Sequence, residues 1–141
     1  MNNKPIYLPL AFLLAFSLIG CGNDGMTKVS GKVTFGDGAP VTRGTVYFDS
    51  GTYAASGPIQ PDGTYVLGSL RPGDGAPAGE YVVILVKEWE DPVDEDGNTI
   101  NTFEVHPRYT NRETSGLTFT IEPGRPQVFN IVVERTHPLL R

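Results

Sequence analysis

Apolar and polar positions alternate along most of this chain. Val29, Gly31, Val33 and Phe35 are interleaved with Ser30, Lys32 and Thr34, a period of two that predicts a half-buried strand. Gly36-Asp37-Gly38 turns the chain, and Gly44 to Asp49 predicts a second strand, ended by Ser50-Gly51. Thr52 to Ile59 is a weaker third. Pro61-Asp62-Gly63 makes a tight turn, and Thr64 to Leu70 is the fourth. Arg71 to Gly79 has no apolar periodicity and is expected to cross the surface as a loop. Tyr81 to Val86 is apolar at every position, which predicts a central strand covered on both pleat faces. A polar stretch runs from Glu88 to about Asn111, after which Leu117 to Ile121 alternates again. Pro123-Gly124-Arg125-Pro126 then turns the chain into a last strand, Gln127 to Val133, and Thr136 to Arg141 reads as a frayed tail. Seven short strands, with no helical periodicity after the N-terminal segment, predict an all-β fold built as a β-sandwich.

The N-terminal segment breaks this pattern. Ile6 to Ile19 is a run of fourteen mostly apolar residues behind Lys4, interrupted by Pro9. It is shorter than the roughly 20 residues a spanning helix needs, and it predicts a secretory signal. The run ends at Leu18-Ile19-Gly20-Cys21, which holds the only cysteine in the sequence. These four residues resemble the lipobox of bacterial lipoproteins. The resemblance implies cleavage before Cys21, acylation of its thiol with palmitate-type chains, and permanent attachment to a membrane of the cell envelope. One acyl chain gives weak, reversible binding, and a second makes the anchor stable. An exported thiol with no second cysteine to pair with fits that use. Gly22 stands where inner-membrane lipoproteins of diderm bacteria carry Asp, which favours the outer membrane over the inner. The expected division is a signal over 1–20, the lipidated cysteine and a polar tether over 21–27, the sandwich over 28–135, and the tail over 136–141.

Composition narrows the partners. Taking the first 20 residues from the 141 leaves 121 and removes one positive charge, so formal net charge moves from −5 to −6. A chain of that length forms one domain with a core that needs neither disulfide nor metal. Its acidic balance excludes nucleic acid as a partner and argues that lipid, rather than net charge, holds the protein at a membrane.

Four stretches, taken in order, resemble a known family: Val29-Ser30-Gly31-Lys32-Val33-Thr34-Phe35, Gly44-Thr45-Val46, Asp62-Gly63-Thr64-Tyr65 and Ala78-Gly79-Glu80-Tyr81-Val82-Val83. They are similar to the carboxypeptidase regulatory-like, or transthyretin-like, domain of small bacterial lipoproteins. Pro107-Arg108-Tyr109-Thr110 followed by Thr114-Ser115-Gly116-Leu117 resembles the C-terminal signature of such proteins. The resemblance implies a seven-stranded, prealbumin-like or immunoglobulin-like sandwich without catalysis.

Candidate chemistry is sparse. His106 and His137 fall in a loop and the tail, with no cysteine as co-ligand, and do not make a zinc site. No Gly-x-Ser-x-Gly elbow occurs. Glu88, Glu90, Asp91, Asp94, Glu95 and Asp96 could offer oxygens to calcium, but the spacing before Gly97 puts Pro92 at the first ligand position of an EF-type loop, so a solvated acidic loop is expected. Lys32 and Asn130 lie on strands suited to an isopeptide cross-link, yet the pleat turns both away from the apolar face. No catalytic residue, metal or cofactor is expected. Among the loop aromatics Tyr53, Trp89, Phe103 and Tyr109, the candidate ligand contacts are Trp89 and Tyr109, and the bland reading of Trp89 is a residue covering the rim of the core. Two functions follow. One is a lipid-anchored, non-enzymatic envelope module with a structural or protein-interaction role. The other is a carbohydrate- or peptide-binding lipoprotein using loops 71–79 and 88–109. An open aromatic patch separates them.

Overall fold

The computed structural model of the protein describes residues 25–136 and is all-β apart from one short 3₁₀ turn, Pro107–Thr110. The sequence predicts seven strands, and ten form among the described residues: β1 Met26–Thr27, β2 Val29–Phe35, β3 Thr45–Asp49, β4 Ala54–Pro58, β5 Thr64–Val66, β6 Ala76–Pro77, β7 Gly79–Val86, β8 Leu117–Ile121, β9 Gln127–Val128 and β10 Ile131–Val133. β2 and β8 have the predicted bounds. The three additions come from contacts between distant parts of the chain. β9 and β10 are the predicted last strand divided at Phe129-Asn130, and β1 and β6 are a two-residue pair for which no period can be read.

One four-stranded sheet runs β4-β3-β7-β8, with every pair antiparallel. The other has β2 at its centre, paired antiparallel to β5 on one side and parallel to β9 and β10 on the other. The two sheets meet through their inner faces, consistent with a sandwich. Phe48 of β3 is fully buried, with Tyr65 and Phe129 of the opposite sheet and Tyr81 and Phe119 of its own at ring-centroid distances of 6.1 to 6.4 Å.

The division of the last strand has a clear mechanism. The side-chain Oδ1 of Asn130 accepts the Lys32 backbone N–H at 3.1 Å, in the place a main-chain carbonyl would take in an unbroken parallel ladder. The freed Phe129 carbonyl accepts the Tyr65 hydroxyl instead, at 2.7 Å. Burial pushes the Tyr65 phenol pKa well up, so it stays a neutral donor. This crossing requires Gly31, because a Cβ there would stand 1.9 Å from the Phe129 oxygen.

The remaining strands shift by one or two residues at an end, except that β5 stops at Val66 rather than Leu70, and three segments expected outside the strands differ as well. Met26–Thr27 belongs to the fold as β1 rather than to a tether, and Thr27 is buried with its hydroxyl donating to the Glu122 carbonyl. The loop 71–79 contains β6 and the first residue of β7. Thr136 is tied to the domain by its N–H to the Glu104 carbonyl, and residues 137–141 lie outside the described residues. A fourth correction concerns β7. It is central, flanked by β3 and β8, but its faces are unequal: Tyr81, Val83 and Leu85 are buried while Val82, Ile84 and Val86 are half-buried. An unbroken apolar run marks strand membership, and the second sheet covers only one face of an antiparallel strand.

Candidate functional site

The signal over 1–20 and Cys21 lie outside the described residues, so the chemistry that can be placed sits in the two long loops at opposite ends of the sandwich. β7 fixes the geometry. Its start, Gly79, pairs with Ile121, and its end, Val86, pairs with Thr45. We call the end that holds β1, β6 and Gly79 proximal, and the end beyond Val86 distal.

At the distal end, Asp91 organises the loop. Its Oδ1 accepts both the backbone N–H and the hydroxyl of Thr102, at 2.9 and 2.8 Å, and its Oδ2 pairs with the Lys87 ammonium. The Lys87 hydrogen bond first, then the two donors of Thr102, hold the Asp91 pKa down at about 2. Thr102 Oγ1 in turn accepts the Trp89 indole N–H at 2.8 Å. Trp89 stands edge-on to Phe103 at 5.5 Å, and the Arg43 guanidinium lies 4.1 Å over its ring while donating to the Thr102 carbonyl. Trp89 is therefore half-buried with its N–H satisfied and a face covered. Tyr109 is 6% exposed and belongs to the core, held by the 3₁₀ turn whose cap is His106, with Nδ1 accepting the Arg108 N–H. Neither aromatic is an open platform. No described aromatic side chain is exposed: Phe103 is buried and Tyr53 half-buried.

Of the acidic loop's carboxylates, those of Asp91 and Asp94 turn inward on its own backbone. Asp94 accepts N–H groups from Asp96 and Asn98 and the Asn98 side-chain amide. Among the described residues no group of three or more His, Cys, Asp or Glu side chains is placed to hold a metal ion. Lys32 and Asn130 are both exposed, and the Asn130 amide is engaged with backbone.

At the proximal end, Asp74 performs the organising role. Its carboxylate accepts backbone N–H groups from Ser69, Leu70 and Arg71 at 2.7, 3.1 and 2.9 Å. These bonds, the one from Ser69 first, hold its pKa below the usual carboxylate value. The loop so fixed displays Leu70, 79% exposed, beside an open groove of about 510 Å³ lined by Pro58, Tyr65, Val66 and Arg71. Leu70, Asp74 and Arg43 were not among the expected site residues. An Asp placed shortly after Ser69 in a Pro- and Gly-rich segment is the signal that could have pointed to the Asp74 turn. Nothing in the sequence marks Arg43 as a neighbour of Trp89, 46 positions later.

No protein-family model matches the chain, and no curated protein does. Among solved structures, the crystal structure of a 9R-lipoxygenase from Cyanothece PCC8801 overlaps with a TM-score of 0.43 and 16% identity, covering 83% of this chain and 18% of the other. A likeness of that size carries no argument about fold or activity. Among the described residues no helix is long and apolar enough to cross a membrane, which leaves membrane-crossing strands unaddressed.

Proposed function

We propose that this protein is a lipid-anchored, non-enzymatic module of the cell envelope, a β-sandwich of the carboxypeptidase regulatory-like or prealbumin-like kind with a structural or protein-interaction role. The observation that carries the reading is the sole cysteine at the end of Leu18-Ile19-Gly20-Cys21, five residues ahead of β1. The buried or half-buried state of every described aromatic supports it over a carbohydrate- or peptide-binding lipoprotein, whose ligands call for an open ring. A fold alone licenses no activity, and the carboxylates of Asp74, Asp91 and Asp94 are directed at their loops' own backbones.

The test is Cys21→Ser expressed in the native envelope beside the wild type. The wild type should sediment with membranes and take up a labelled palmitate analogue. The variant should keep its fold, take up no label and move to the soluble fraction, because the anchor and the core share no residue. A Cys21→Ser protein that still sediments with membranes refutes the reading.

A further inference from the structure

A sheet ends in strands whose outward N–H and C=O groups pair with any strand offered to them, so folded proteins blunt or cover these edges. This fold covers most of its own. β4 is closed where Ser56 and Gly68 exchange N–H to carbonyl bonds, both of 2.8 Å. β5 is closed at Thr64, whose N–H donates to the Asp62 carboxylate and whose carbonyl accepts the Gln60 N–H. The Gln127 side chain lies across β8, accepting the Glu122 N–H and donating to the Thr120 carbonyl. The outer side of β9 and β10, from Val128 to Val132, has no such cover among the described residues.

The bonds around that stretch fix where its free groups point. Gln127 and Phe129 donate to the Lys28 and Ser30 carbonyls at the start of β2, so the Val128 carbonyl, in the same peptide as the Phe129 N–H, faces away from β2. The register to β2 is the same after Asn130, with Ile131 opposite Val33 and Val133 opposite Phe35, so Val132 also turns its groups away. Two residues further on, the Glu134 carbonyl accepts the His106 N–H from the outer side, which confirms the alternation. Residues 104–106 are there an added antiparallel strand, with Val105 bridged to Arg135 and the Thr136 N–H donating to the Glu104 carbonyl. The molecule itself shows what this edge accepts. Val128 is 67% exposed and Val132 59%.

The open run is its own complement. Val128-Phe129-Asn130-Ile131-Val132 reads valine, apolar, asparagine, apolar, valine in both directions. Laid antiparallel on a second copy with Asn130 opposite Asn130, Val128 of each chain faces Val132 of the other, and the outward groups of these residues close two hydrogen bonds at each end. β-Branched side chains facing each other across strands stabilise such a pairing. From Gln127 to Val133 there is no charge and no proline to oppose it. The flanks favour the same orientation. Beyond Val133, Asp37, Glu104 and Glu134 surround Arg108 and Arg135, one acid in excess, and before Gln127, Lys28 and Arg125 stand with Glu122, one cation in excess. Antiparallel pairing sets each flank against the opposite one, whereas parallel pairing sets like against like.

We propose that this edge is the interface of a two-fold dimer, in which one sheet runs from β5 of one copy through β2 and the paired β9–β10 edges to β5 of the other. The dimer names the partner for the interaction role proposed above and rests on that reading for its use, while the pairing itself needs no lipid.

The test uses the full chain with Cys21→Ser, which removes the native thiol. Val128→Cys and Val132→Cys are made separately, one of them with a tag that distinguishes it by mass; both positions are exposed, so the fold is kept. Facing residues in such a pair have Cα atoms about 5.5 Å apart, within the range of a disulfide, whereas each position lies roughly 14 Å from itself in the other copy. With diamide as oxidant, the mixture of the two variants should give several-fold more cross-linked dimer than either variant alone. Equal yields from the mixture and the single variants would overturn the register and with it the two-fold pairing. No cross-link in any sample would overturn the dimer and leave the sedimentation test of Cys21 untouched. Adding Glu134→Lys to both chains should lower the yield of the mixture, and an unchanged yield would overturn the role given to the flanking charges.

Discussion

The loop between β5 and β7 and the loop between β7 and the 3₁₀ turn both lack apolar periodicity, the first being rich in Pro and Gly and the second in Asp and Glu. Both are shaped by aspartates that accept from the loop's own backbone, Asp74 in one and Asp91 and Asp94 in the other. They differ in their large apolar residues: the distal loop buries Phe103 and Val105 and half-buries Trp89, exposing only the smaller Val93 and Ile100, whereas the proximal loop buries Leu67 and leaves Leu70 79% exposed. The difference lies in what each end of the sandwich lacks. The proximal end is closed by the β1–β6 pair and by Tyr81, whose hydroxyl donates to the Pro77 carbonyl at 2.9 Å. The distal end has no such pair, and Phe103 fills it, lying against Gly44 and the Trp89 ring. A loop whose polar groups are satisfied can be a lid or a display, and the gap beneath it decides which.

The largest expected effect is at the lid. Phe103→Ala should destabilise the lipid-free domain by about 3 to 5 kcal/mol in urea denaturation, through lost transfer energy and the cavity left beneath Trp89. A loss below about 1 kcal/mol would mean that the distal loop is as much a display as the proximal one. The same contrast of covered and open positions recurs within β7. Leu85→Ala should cost about 2 to 5 kcal/mol, and Ile84→Ala, on the half-buried outer face, clearly less. Equal losses would show that the outer face is covered after all.

A smaller effect is expected at the anchor of the lid. Asp91 has a folded pKa of about 2, below its unfolded value near 4, so its contribution is present above the unfolded pKa and is lost as pH falls from about 4 through 2. Thermal melts of wild type should fall over that window, and Asp91→Asn should start lower at neutral pH and fall less steeply. Parallel curves for the two proteins would remove Asp91 as the anchor. The smallest effect is at the display. Leu70→Ser should leave stability within about 0.5 kcal/mol of wild type, because the side chain packs on nothing it would lose. A larger loss would place Leu70 in the core and end the contrast.

What the sequence determined by itself is what local physics determines. Alternation with period two located β2 and β8 to the residue, since neighbouring side chains on a strand must face opposite sides whatever the strand pairs with. Turn residues separated the strands for the same reason, acting within a few residues of themselves. The resemblance of Leu18-Ile19-Gly20-Cys21 to a lipobox is likewise a local pattern. Only the tertiary structure decided the rest. Met26–Thr27 and Ala76–Pro77 are too short to carry a period and become strands by meeting each other across about fifty residues of chain. The Asn130 side chain enters the ladder because Tyr65, 64 positions before Phe129, claims the Phe129 carbonyl. Tyr109 and Phe103 read as loop aromatics in sequence and are core residues in the fold, because burial depends on which gap a loop is laid across. The two long loops share a lack of apolar periodicity. Their ends of the sandwich differ, and that difference arises from pairings that no stretch of sequence contains.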